Sequence, residues 1–208
     1  MPKKSAVASV SLGRPRGFDA DVALRAAIEV FWQRGFEATS LDDLSQAMGL
    51  SRSSLYACFG SKHDLLMAAV RLYADERFAA LNETALANTD ARAAVQAMLA
   101  VIADVKGGRR GCLFVNAVAE LAPGDAELVR FARAHTARVA ALMTATLVRA
   151  GCPEPEAAPR AGAVLALAIG VTTLRKTGVP ASELATLLAQ AEQLLPLKPR
   201  TRQPRNHP

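Results

Sequence analysis

Aromatic residues are scarce in this chain, at 5% of 208 positions, and no long β-branched run makes up for them. A sheet core is hard to build without either. Alanine and leucine, both good helix formers, recur throughout, so an all-α protein is expected. Long hydrophobic runs are missing too. The longest uncharged apolar stretch is Ala161–Leu174, fourteen residues, against the ~20 that a bilayer span requires. It reads as a buried core helix, and no membrane partner is expected. Lys3 and Lys4 precede only a short apolar stretch, Ala6 to Val10, broken by Ser9, so no signal peptide is expected. Cysteine is sparse: Cys58, Cys112 and Cys152 form no CxxC pair. His63, His135 and His207 show neither zinc-finger nor HExxH spacing. These absences point to a reducing, cytoplasmic chain without a metal. A GxSxG elbow, a P-loop and a dinucleotide fingerprint are likewise absent, so neither an enzyme nor a cofactor is expected.

What is present is enough to build a core, with 51% hydrophobic and 21% charged residues. The net charge of +6 is unevenly placed. Residues 1–18 hold Lys3, Lys4, Arg14 and Arg16 and no acid, and residues 198–208 hold Lys198, Arg200, Arg202 and Arg205 and no acid. The body between them carries a slight negative excess. Residues 1–17 therefore read as a flexible basic arm and 198–208 as a basic disordered tail, suited to nucleic acid or simply to solubility.

Between these ends the chain is punctuated into helices. Asp19 can cap a first helix whose Leu24, Ala27, Ile28 and Phe31 form an apolar stripe, and Gly35 can stop it. Ser40 with Asp43 resembles a capping box for a short helix with Leu41, Leu44 and Met48 inside, stopped by Gly49. Ser51 can cap a third helix to about Cys58, and Ser61 with Asp64 opens a fourth carrying Leu65, Leu66, Val70 and Tyr73. Two short helices joined by a glycine-containing turn make a helix-turn-helix. The second of them starts with one arginine and three serines around it and presents little apolar bulk, which suits a major-groove floor. Arg52 has the planar fork to read a guanine edge, and Ser53, Ser54 and Ala57 can make shorter contacts.

The stretches Gly35-Phe36-Glu37-Ala38-Thr39-Ser40-Leu41-Asp42-Asp43-Leu44, Met48-Gly49-Leu50-Ser51, Ser54-Leu55-Tyr56 and Phe59-Gly60-Ser61-Lys62 resemble the tetracycline-repressor (TetR) family of bacterial transcription regulators over residues 18–73. That resemblance implies an N-terminal three-helix DNA-binding domain, here 18–66, and a C-terminal helical effector-binding and dimerisation domain, here 67–197. It implies a homodimer on a double-stranded, palindromic operator, released by a small molecule. It also makes Tyr56 and Lys62 DNA-backbone contacts and places Thr39 and Ser40 where helix 2 of the family touches phosphate. Tyr56 could equally pack the domain. Arg14 and Arg16, around Pro15, suit a narrow minor groove. A helical interaction protein that no longer reads DNA is the competing class.

Beyond residue 88, helices are expected over Ala91–Val105, Cys112–Leu121, Asp125–Ala150, Glu156–Thr177 and Pro180–Leu195, with a flexible basic loop at Lys106–Gly111. The last two are the expected dimer interface, through Ala163, Ala166, Ala168 and Gly170 with Leu165, Leu167, Ile169, Leu184, Leu187, Leu188 and Leu194. A largely apolar effector pocket is expected with Phe114, Phe131, Leu142 and Met143 as walls and Asn116, Glu120, His135 and Thr172 as polar anchors. Cys112, after Lys106, Arg109 and Arg110 and expected in the first turn of a helix, has two readings. One is a small buried hydrophobe. The other is a thiol sensor, activated by neighbouring cations and the helix N-terminus; Gly111-Cys112-Leu113 is similar to a segment of oxidant-sensing family members.

Overall fold

The computed structural model describes residues 19–104, 108–122 and 124–193. The expectations for Arg14, Arg16, Lys106, Leu194 and the basic tail fall outside them. Among the described residues there are nine α-helices, one short 3-10 turn and no strand.

The first three helices are set by local chemistry. Helix α1 (Ala20–Arg34) starts where Asp19 Oδ1 accepts from the Asp21 N–H at 3.0 Å, and it buries Ala23, Ala27, Ile28 and Phe31. Leu24, expected in that stripe, is only partly buried, because the inward face is turned by one residue. Helix α2 (Leu41–Met48) opens with a true capping box: Ser40 Oγ accepts from Asp43 N at 3.1 Å, and Asp43 Oδ2 accepts from Ser40 N at 3.0 Å. Gly49, left-handed at φ 66°, closes it. Three residues later α3 (Arg52–Phe59) begins, with Ser51 Oγ accepting from Ser54 N at 3.1 Å.

Helix α4 (Lys62–Ala87) runs for 26 residues, well past the Tyr73 turn. The expected boundary at 66/67 therefore falls inside one unbroken helix. Its first half packs with α1–α3 around Leu44, Leu55, Leu65 and Leu66, all fully or nearly fully buried. Its second half enters a separate core with α5 (Ala91–Ala103), α7 (Ala126–Arg149) and α8 (Glu154–Lys176), around Leu81, Met98, Met143 and Leu147. Helix α9 (Ala181–Gln193) closes a third, small core on α5 and α8 through Leu184 and Leu188. Leu113 and Ala117 of α6 (Leu113–Leu121), with Leu128 of α7, belong to the first core, so the two ends of the molecule share an apolar joint.

Helix α8 is the one described helix long and apolar enough to cross a membrane; here it buries Ala157, Ala161, Val164, Leu165 and Ala168 against its neighbours. It also carries a buried cation. Arg175, 3% exposed, pairs with Asp104 Oδ2 at 2.9 Å and donates to the carbonyls of Asp104 and Gly111. That pairing fixes Asp104 in a left-handed conformation, φ 43°, and ends α5 at Ala103, two residues before the expected Val105. The 3-10 turn at Gly108–Arg110 follows. Its arginines are engaged: Arg110 lies 4.3 Å over the Trp32 ring and pairs with Glu29 at 2.5 Å, while Arg109 lies against Gly178.

Candidate nucleic-acid interface and ligand cavity

Helix α3 presents an outer face of Arg52, Ser53, Ala57 and Cys58, with Tyr56 47% exposed and Leu55 alone fully buried beneath. No acid lies on this helix. Arg52, at its first position, is forked onto Asp42 of α2, with Nε donating to Oδ1 at 2.7 Å and Nη2 to Oδ2 at 2.5 Å. Hydrogen bonding from Arg52 holds the Asp42 carboxyl below its usual range. Both side chains are more than half exposed, and an exposed pair of this kind is weak because water screens it. The guanidinium can therefore exchange its carboxylate for a base edge or a phosphate. Ser53 and Ser54 hydroxyls lie 2.9 Å from Ser51 Oγ. Lys62, at the start of α4, rests its ammonium 4.4 Å over the Phe36 ring.

Thr39 and Ser40 part company. Thr39 is 2% exposed and donates its hydroxyl to the Gly35 carbonyl at 2.5 Å. It shapes the turn between α1 and α2 instead of offering a hydroxyl to phosphate. Ser40 is exposed, its hydroxyl turned to Asp43 at 2.7 Å. His63, in the first turn of α4, is half-buried: Nε2 sits 2.6 Å from Asp125 Oδ2, and the ring edge meets Phe36. Asp125, which also caps α7, is held below the ordinary carboxylate range by the Leu128 N–H and then by His63.

A cavity of about 80 Å³ lies among α4, α5, α6, α7 and α8. Of the residues expected to line a pocket, it holds Phe114, His135 and Thr172, together with Cys112. The others are elsewhere, for identifiable reasons. Met143 is fully buried in the second core, with Leu142 packed beside it. Phe131 stacks behind the lining at 5.9 Å from His135 and 6.2 Å from Phe114. Asn116 accepts from Lys176 Nζ at 2.9 Å and donates to the Arg110 carbonyl. Glu120 is a tie between the two ends of the molecule: its carboxylate accepts from the Phe36 N–H at 2.9 Å and the Glu37 N–H at 2.8 Å, capping the turn after α1.

Sequence reading missed the α4 and α5 walls of the cavity, Tyr73, Arg77, Phe78, Leu81, Val101 and Ile102. The available signal was the apolar pattern of α4 continuing past Tyr73 to Leu81 and Ala85. Cys112 is the N-cap residue of α6 rather than part of its first turn, with extended backbone and no side-chain capping bond. Of the cations expected to activate it, Arg110 faces Trp32 and Glu29 and Arg109 faces Gly178, while Lys106 lies outside the described residues. The thiol instead accepts from Tyr73 Oη at 3.6 Å. Burial, then the adjacent thiol, pushes the Tyr73 phenol far above its ordinary range. Burial likewise pushes His135 below the ordinary imidazole range, with the Arg138 charge adding to it, so the ring at the cavity is neutral near pH 7.

The family model described as "Bacterial regulatory proteins, tetR family" matches residues 23–80. The HTH-type transcriptional repressor ComR of Escherichia coli (strain K12) is 39% identical over 123 residues, covering 57% of this chain and 58% of that protein. The chain spans about six-tenths of the length of the curated relatives it matches. Among solved structures, a TetR-family regulator from Rhodococcus sp. RHA1 is 30% identical over 85% of this chain and 99% of that one, with a TM-score of 0.56. A cysteine-substituted CifR, a TetR-family transcriptional regulator in complex with 26-base-pair operator DNA, is 28% identical with a TM-score of 0.76, over 88% of this chain and all of that one. With its helix-turn-helix on α2 and α3 and its helical C-terminal unit, the chain belongs to the TetR family of bacterial transcription regulators.

Proposed function

We propose that this chain is a homodimeric repressor that grips a palindromic double-stranded operator through α3 and lets go when a small, largely apolar molecule enters the cavity. In this reading residues 18–66 read DNA and 67–197 bind effector and partner. Arg52, Ser53, Ser54 and Ala57 meet base edges, and Ser40, Tyr56 and Lys62 meet the backbone. Arg14 and Arg16 of the 1–17 arm reach the minor groove. The single observation that carries the reading is that α4 both follows the reading helix directly and lines the cavity with Tyr73, Arg77 and Phe78. A ligand shifts operator affinity only if it prefers one spacing of the two reading heads; one that displaces α4 has that preference.

The dimer reading is supported by the outer face of α8 and α9. Gly162, Ala163, Ala166 and Gly170 are exposed and allow close helix approach, and Leu174 and Leu187 beside them are 41% and 43% exposed. One helix-turn-helix touches too little DNA for useful specificity, so pairing is required. Selection of bound sequences from random DNA tests the proposal: a palindrome with two half-sites is expected. Failure to enrich any motif, with or without cell extract, overturns it.

A second reading of the signal is favoured by one observation, the presence of Cys112 in the cavity wall. A quinone or peroxide that modified this sulfur would place new atoms between α4 and α6. The expected result is operator release from wild type but not from Cys112→Ser. Equal release from both ends this reading.

A further inference from the structure

We propose that the cavity takes a small monocarboxylate, with Arg77 as the partner of its charge. This deepens, and rests on, the reading of the cavity as the effector site. Among the described residues, Arg77 is the one charged side chain in the lining, and no aspartate or glutamate is there. Its guanidinium is half-buried and donates from Nη2 to the Val101 carbonyl, leaving other N–H groups without a carboxylate among the described residues. The neighbouring acids are committed. Glu76 pairs with Arg25 at 2.5 Å, and Asp75, whose charge reaches His135, pairs with Arg138 at 2.7 Å. A partly desolvated guanidinium beside an apolar cavity favours an anion, and the planar fork matches a carboxylate.

The remaining lining fixes the rest of the ligand. Phe78, Leu81, Val139, Leu165 and Ile169 form apolar walls. An apolar cavity of ~150 Å³ holds one benzene, so 80 Å³ encloses a tail of roughly three or four carbons by the same measure. Neutral His135 supplies a further hydrogen-bonding group that carries no opposing charge, while the Tyr73 and Thr172 hydroxyls are already donated to Cys112 Sγ and the Ile169 carbonyl. The chemical class is therefore a short, branched or straight aliphatic acid.

The test compares isovalerate with isovaleramide, which has nearly the same shape and no charge, on the full chain. Trp32, the single tryptophan, lies 5.1 Å from Tyr73 of the lining and reports occupancy by its emission; melting temperature is the second readout. Acetate, charged but nearly tailless, controls for general anion effects and should bind weakly. Isovalerate is expected to bind about tenfold or more tightly than the amide, as a charge-assisted pair requires. Arg77→Gln, which keeps a donor for Val101, should erase that preference, and Arg77→Lys should keep most of it. Equal or tighter binding of the amide by wild type overturns the carboxylate proposal and leaves the cavity reading standing. So does an acid preference that survives in Arg77→Gln. If Arg77→Gln does not fold, the wild-type comparison and Arg77→Lys decide. Binding of neither probe overturns both.

Discussion

The two ends of the molecule are held by different kinds of interaction. The reading end, α1 to α3, is set by short-range polar devices: Asp19, Ser40 with Asp43, Ser51 and Ser61 each cap a helix from two or three residues away. The C-terminal end is set by long helices burying apolar faces, with a cavity left among them. Polar ties cross between the two at several points: Glu120 on the Phe36 and Glu37 N–H groups, His63 with Asp125 and Arg110 with Glu29. The two ends are thus coupled by a few polar ties and by one shared helix, α4.

The largest expected effect asks whether the two ends melt as one. Leu44 in the first core and Leu147 in the second are both fully buried. Leu44→Ala and Leu147→Ala should each cost roughly 2–5 kcal/mol in denaturant unfolding. Because α4, Leu113 and Leu128 join the cores, both should shift the same single transition. Two separate transitions would break the coupling described above.

Next in size is the tie at the α1–α2 turn. Gly35 adopts φ 80°, ψ −177°, a region reserved for glycine, and a Cβ there would lie 2.8 Å from Glu120 Oε2. Gly35→Ala should destabilise by about 2–3 kcal/mol, combining backbone strain with displacement of that carboxylate. If Glu120→Ala removes none of this cost, Glu120 plays no part in it. Smaller still is the capping box, where Ser40→Ala should cost about 1 kcal/mol.

The comparison also accounts for what the sequence disclosed. Caps and stops operate within three residues, so the helix-turn-helix, its boundaries and its exposed Arg52 were legible before any coordinates. The cavity was not. Phe114, His135 and Thr172 were named as lining it, but Phe131, Leu142, Met143, Asn116 and Glu120 were named with them, because residue type alone does not say which face of a long helix meets which neighbour. The Glu120 tie spans 84 residues of chain, and nothing local marks it. Thr39 illustrates the same limit at short range. Its hydroxyl is spent on the Gly35 carbonyl four residues back, which only the turn geometry reveals.

The smallest stability effect is pH-dependent. Asp125 has a folded pKa below its unfolded ~3.9, from the Leu128 N–H first and His63 after it. A depressed carboxylate contributes stability that is present above the unfolded value and is lost as pH falls through the folded one. Asp125→Asn should therefore flatten the acid limb of the stability curve below about pH 4 and leave its shape near pH 8 unchanged. An unaltered acid limb would mean the tie to His63 and the α7 cap carries no linkage.

The most direct test of the central claim, that α3 reads bases while α4 begins with a backbone contact, is operator affinity measured across all four bases at each half-site position. Arg52→Ala should lose ~1–3 kcal/mol of discrimination at one position per half-site, and Lys62→Ala should weaken binding evenly across sequences with a shallower salt dependence. A uniform loss from Arg52→Ala, or no loss at all, would contradict the account.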